Sequence, residues 1–136
     1  MEKEQLQKDI MQINLLDGKL QELEQQMALL EKQINELQVC ELALEDIKNV
    51  KPDTEMLAAV SPGVFVKTKL KDNKEIFINT GAKIFCKKST EEAKEFIQTK
   101  LNSALDVYNK LSSEVNSIVK TMNSLEQELR AKAMQK

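Results

Sequence analysis

The sequence contains no histidine and no tryptophan, one tyrosine, four phenylalanines, three glycines and two prolines. Without an imidazole it lacks the usual general base, the usual zinc ligand and every Ser-His or Cys-His nucleophile pair, so most hydrolytic chemistry is excluded. Gly18, Gly63 and Gly81 stand apart from one another, and no glycine-rich loop is available to cradle a nucleotide phosphate. Cys40 and Cys86 cannot make a four-ligand zinc site without histidine; they read as small packing residues, reduced in a cytosolic setting, with a disulfide formally open. The longest unbroken apolar run is Met56 to Val60, against roughly 18–20 residues for a spanning helix. The first residues, Met1-Glu2-Lys3-Glu4-Gln5, have no apolar stretch of the kind a signal peptide carries. The expectation is a cytoplasmic chain that is not an enzyme and has no metal, no cofactor and no membrane partner.

What is present is helix-forming material. In 136 residues and 15.5 kDa, 41% apolar and 31% charged side chains make a foldable domain rich in Leu, Glu, Lys and Gln. The net charge of −2 divides unevenly: −6 over residues 1–48, +4 over 49–88 and zero over 89–136. The lysines of the centre lack the interleaved exposed aromatics of a nucleic-acid surface and read as solvated strand edges, so no nucleic acid is expected.

With heptad position a at Leu6, the a positions are Leu6, Ile13, Leu20, Met27, Ile34 and Glu41, and the d positions are Asp9, Leu16, Leu23, Leu30, Leu37 and Leu44. All but Asp9 and Glu41 are apolar, and the residues between are mostly Gln, Glu, Lys and Asn, which makes a narrow coiled-coil seam. Pro52 ends the helix near residue 48. A second helix opens at Ser89-Thr90-Glu91-Glu92, a capping box, and carries a seam at Ile97, Leu101, Ala104, Tyr108, Leu111, Val115, Ile118, Met122, Leu125 and Leu129. Each helix is about 45 residues, on the order of 70 Å at 1.5 Å per residue. Matched lengths favour an antiparallel pairing of the two seams within one chain over two unrelated helices feeding a parallel homodimer.

Between the helices the period changes to two. Val64–Leu70 and Glu75–Asn79 alternate and are rich in β-branched and aromatic residues, with Lys71-Asp72-Asn73-Lys74 as turn chemistry between them. Pairing Leu70 with Ile76 in a hairpin would place Val64, Val66, Ile76 and Ile78 on one face and Phe65, Phe77 and Phe85 on the other. Flanking strands are expected at Met56–Val60 and Lys83–Lys88. The fold class is therefore α+β: a long antiparallel helical coiled coil over 1–49 and 89–136, joined by a small two-hairpin β domain over 50–88. So small a sheet cannot cover both apolar faces, and its partner is expected to be another subunit.

This order resembles the alpha class of the prefoldin family. The resemblance is carried by Ser61-Pro62-Gly63-Val64-Phe65-Val66-Lys67, by Asp72, by Ile76-Phe77-Ile78-Asn79-Thr80-Gly81-Ala82 and by Ser89-Thr90-Glu91-Glu92-Ala93-Lys94-Glu95-Phe96. Ser61-Pro62 stands where alpha subunits often have Gly-Ala, while room for two hairpins rather than one separates the chain from the beta class. The resemblance implies an ATP-independent holdase: a hexamer of two alpha and four beta-class subunits with a β-barrel platform and projecting coiled coils. It also implies capture of non-native client proteins at the tips, with transfer to a group II chaperonin. On that basis the client residues are Leu6, Ile10, Met11, Ile13, Leu15, Leu129, Ala131, Ala133 and Met134. The assembly residues are Val64, Phe65, Val66, Leu70, Ile76, Phe77, Ile78, Ile84 and Phe85.

The off-seam apolar residues of the first helix are read as clustering at Ile10, Met11 and Leu15. An exposed patch of Met and branched aliphatics suits a binder of many sequences; a second reading has them merely broaden the seam. A rival functional reading makes the chain a structural coiled coil that self-assembles into homo-oligomers or filaments, or serves as a tether.

Overall fold

In the computed structural model, which describes residues 2–134, helix α1 (Glu2–Lys48) leads into β1 (Glu55–Ser61), β2 (Val64–Lys69), β3 (Glu75–Gly81) and β4 (Ile84–Ser89). Helix α2 (Thr90–Met134) follows. The chain divides into two compact units, one drawn from the residues before Asn35 and after Asn102, the other from Asn35–Asn102.

The heptad seam is where the helices bury their surface. Every a and d position of α1 from Leu6 to Leu44 is buried or half-buried, and every other position between Glu2 and Asp46 is exposed. All seam positions of α2 from Ile97 to Leu129 are likewise covered, and burial extends back through Ala93 and Thr90. In the first unit, Lys19 pairs with Glu114 at 3.5 Å and the Tyr108 hydroxyl donates to Glu31 at 2.9 Å, so residue numbers rise along α1 as they fall along α2. In the second unit, Lys94 pairs with Glu45 and Lys48 with Glu91, in the same antiparallel sense. Exposed pairs of this kind contribute only about 0–1 kcal/mol each, so the apolar seam holds the helices together and the charges trim its register.

The strands pair differently from the expected hairpin. β1 pairs antiparallel with β2, from Glu55 opposite Lys69 to Ser61 opposite Val64, and β3 pairs with β4, from Glu75 opposite Ser89 to Gly81 opposite Ile84. Each hairpin is a separate two-stranded sheet. Lys71-Asp72-Asn73-Lys74 is therefore a connector between hairpins, and Val64 and Val66 do not share a sheet with Ile76 and Ile78.

Hydrogen bonding explains why this segment makes no hairpin turn. Asp72 Oδ1 accepts the backbone N–H groups of Lys74 at 2.5 Å and Glu75 at 3.1 Å, a local side-chain turn. Asn73 Nδ2 donates to the carbonyls of Lys48 and Val50, both at 3.0 Å, satisfying acceptors left over at the end of α1. The Asn73 carbonyl accepts the Thr90 hydroxyl at 2.6 Å, and the Lys74 carbonyl accepts the Thr90 N–H at 3.1 Å. Leu70 is engaged with Asp53 and Thr54. The connector thus ties the end of α1 to the start of α2, and its polar groups are committed there.

The true turns are the breaker clusters on either side. Pro62-Gly63 closes β1 on β2, with Gly63 at φ +80°, matching proline then glycine at the centre of a type II turn. Ala82 and Lys83 close β3 on β4 with φ of +48° and +63°, the double left-handed geometry of a type I′ turn. Each hairpin slips register one residue before its turn, between Ala59 and Ser61 and between Asn79 and Gly81. Ser89 caps α2 as its sequence signature predicts, its hydroxyl accepting the Glu92 N–H at 3.1 Å.

Candidate interaction surfaces

Apolar side chains remain uncovered on the hairpins and along both helices, where Leu105, Val107 and Val119 of α2 join those of α1 and Met134. On β1–β2 the alternation places Leu57, Ala59 and Phe65 on one face and Ala58, Val64 and Val66 on the other. Leu57, Val64, Phe65 and Val66 are all exposed, as is Val60 at the register shift. On β3–β4 the two faces differ: Phe77 and Phe85 are 70% and 67% exposed, whereas Ile76, Ile78 and Cys86 on the opposite face are half-buried.

Of the assembly residues expected from sequence, Val64, Phe65, Val66, Phe77, Ile84 and Phe85 are open surface, and Leu70, Ile76 and Ile78 are partly covered within the second unit. Leu57 and Val60 belong with the open set and were missed, although they lie in the expected strand Met56–Val60. Their signal was the alternation itself, since a sheet with no second layer leaves both phases uncovered. Charge is distributed by strand: Lys67 and Lys69 lie on β2, Lys87 and Lys88 on β4, while β1 and β3 each hold one acid, Glu55 and Glu75. Glu75 pairs with Lys87 at 3.0 Å, and the Lys88 ammonium lies 5.8 Å from the Phe96 ring centroid.

In the first unit, Leu6, Ile13 and Leu129 are half-buried in the seam, while Ile10, Met11, Leu15, Ala131, Ala133 and Met134 are exposed. The off-seam residues therefore do not widen the helix contact. They are also not confined to this end: Leu29, Val39 and Leu42 are 71%, 65% and 66% exposed along α1. The expected clustering is corrected accordingly, because positions b, c and f face outward at any height of the helix. The seam itself continues one layer beyond Leu129, where Lys132, at the next d position, meets Asp9.

The titration of Asp72 and Tyr108 is shifted by their surroundings. The backbone N–H groups of Lys74 and Glu75, helped by the nearby Lys74 and Lys71 charges, hold the Asp72 carboxyl below the usual aspartate range. The hydrogen bond to Glu31, with some desolvation and the Glu31 charge, raises the Tyr108 phenol. Both are structural contacts. Among the described residues no group of three or more acidic or cysteine side chains is placed to hold a metal ion, and no helix is long and apolar enough to cross a membrane.

Comparison with known proteins agrees with this geometry. The family model for "Prefoldin subunit" matches residues 16–135. The chain is similar to Prefoldin subunit alpha of Thermofilum pendens, 26% identical over 110 residues that cover 81% of this chain and 85% of that protein. It is also similar to Prefoldin subunit alpha 1 of Thermococcus kodakarensis, 31% identical over 90 residues that cover 66% of this chain and 62% of that protein. Its fold is shared with a filamentous PFD from Methanocaldococcus jannaschii solved by cryo-electron microscopy, at a TM-score of 0.75 and 17% identity over 85% of this chain and 96% of that one. Two long seam helices bracketing two hairpins, with a family match over nearly the whole length, place this chain in the prefoldin family of chaperones as an alpha-class subunit.

Proposed function

We propose that the chain is one of two alpha subunits in a cytoplasmic hexamer with four beta-class subunits, and that the assembly holds non-native proteins without nucleotide and passes them to a group II chaperonin. The observation that carries this reading is the contrast in burial: the helices satisfy their own seams, whereas the hairpins expose Leu57, Phe65, Val66, Phe77 and Phe85. Exposed apolar surface on both faces of a two-stranded hairpin calls for strands from other chains. Pairing β2 with its own copy would bring Lys67 and Lys69 close to the same residues of that copy, which disfavours simple self-assembly and favours a different partner.

Client capture is assigned to Ile10, Met11, Leu15 and Met134, with the half-buried Leu6, Ile13 and Leu129 beneath them. Burying about 200 Å² per contact gains only roughly 5 kcal/mol before ordering costs, so a single coiled coil grips weakly. Affinity then comes from several subunits acting on one chain at high effective concentration.

The test is to mix the chain with a beta-class subunit, measure the mass of the complex, and follow aggregation of a chemically denatured protein with and without it. Deleting residues 1–15 together with 129–136 is expected to preserve assembly and remove protection. Equal protection by the truncated complex would show that capture lies elsewhere.

A further inference from the structure

Of the two acidic residues in the α1 seam, Glu41 is half-buried, whereas Asp9 is buried in a layer that does not fit an apolar zipper. Asp9 occupies a d position of α1 and is 5% exposed, more deeply buried than most of the leucines around it. Its Oδ1 accepts a hydrogen bond from Gln5 Nε2 at 3.1 Å, while Oδ2 is buried with no hydrogen-bond partner among the described residues. Among the described residues its ion-pair partner is Lys132, at the facing d position of α2, whose Nζ lies 3.5 Å from Oδ2. The side chains differ sharply in environment: Lys132 is 42% exposed and Asp9 only 7%. Lys19 and Glu114, another ion pair of this unit, both stand largely in water.

A carboxylate taken out of water recovers its lost hydration only through close charge partners and satisfied lone pairs. Here the base keeps much of its own hydration, stands at the edge of hydrogen-bond range, and leaves one oxygen orphaned. An apolar pair in the same layer would hold the helices more firmly, and removal of the lysine alone would leave a bare buried charge.

We propose that the Asp9–Lys132 layer is a latch that keeps the adjoining end of the coiled coil in register when closed while making it easy to open. Opening uncovers Leu6, Ile13 and Leu129 and joins them to the surface already offered by Ile10 and Met11. The latch thereby sets how much apolar surface a non-native chain encounters. This role rests on the assignment of client capture to this end of the helices.

The experiment measures amide hydrogen exchange of residues 2–16 and 122–134 in the assembled complex, alongside protection of a denatured client. Asp9→Leu combined with Lys132→Leu is expected to slow exchange in both segments by about tenfold and to reduce client protection. Lys132→Leu alone is expected to speed exchange by about tenfold, with residues 20–30 and 104–118 unchanged as the folding control. If the double substitution leaves exchange unchanged or faster, there is no latch, whatever happens to the client. If exchange slows and protection is undiminished, opening does not govern capture and the proposal fails. The deletion of 1–15 with 129–136 separately reports whether capture resides at this end at all.

Discussion

The helices and the hairpins of this chain both carry a regular apolar pattern, of period 3.5 in one and period two in the other. In the helices the pattern is spent within the chain: Leu23, Ile34, Leu101 and Ile118 are 6–7% exposed, and the residues between seam positions of α1 face water. In the hairpins the same class of residue stays open, with Leu57, Phe77 and Phe85 each about two-thirds exposed or more. The difference is one of partners. Each seam finds a complementary seam at the other end of the same chain, whereas each hairpin finds only itself. Stability of the helix pair and recognition by the hairpins should therefore be separable, and the chain can be perturbed in one without loss of the other.

The largest separation is expected from Val66→Asp combined with Phe77→Asp, on residues exposed in this chain. Complex formation with beta-class subunits should be lost by light scattering, with helical circular dichroism retained. A fall in helicity of the isolated chain would show that the hairpins support the helices and would break the comparison. Next, Leu101→Ala in the buried seam should cost about 2–5 kcal/mol of helix stability in thermal unfolding, because a cavity replaces a packed side chain. Binding to partner subunits below the melting range should be preserved.

A smaller effect is expected at the connector, where the two kinds of structure meet. Asn73→Ala removes the donor shared by the Lys48 and Val50 carbonyls, and should lower stability by about 1–2 kcal/mol in denaturant unfolding. Amides at the end of α1 should lose protection, while those of β1–β2 away from the connector should be little changed. The smallest effect concerns pH. Asp72 is held below its ordinary range by the two N–H groups it accepts, so its ionised form is favoured by folding. The resulting stability is fully present above the unfolded aspartate value of about 4 and declines as pH falls through the lower folded value. Asp72→Asn should flatten that acid limb by removing the small increment present at neutral pH, so that the two stability profiles converge at low pH.

Much of the architecture was legible in the residues. A 4-3 spacing of apolar side chains can be buried only by a helix, so Leu6 to Leu44 and Ile97 to Leu129 named their own buried face. Ser89 and Pro52 marked helix ends because capping and the pre-proline restriction are local effects. Strand pairing was not legible in the same way. Lys71-Asp72-Asn73-Lys74 has turn chemistry, but so do Pro62-Gly63 and Gly81-Ala82-Lys83, and alternation alone does not choose among them. The choice falls to Asn73 and Thr90, whose bonds link positions remote in sequence. The same holds for Lys132: its heptad position follows from counting, but its proximity to the buried Asp9 does not.

What the sequence by itself determined was the set of elements, their periodicity, the seam and the lack of any histidine, since each follows from local propensity or composition. The tertiary structure alone decided which strands pair, which apolar residues stay open, and that a carboxylate would be buried against a half-hydrated lysine. Those outcomes depend on distances between residues far apart in the chain, such as Asn73 with Lys48 and Asp9 with Lys132, and no local pattern encodes a distance.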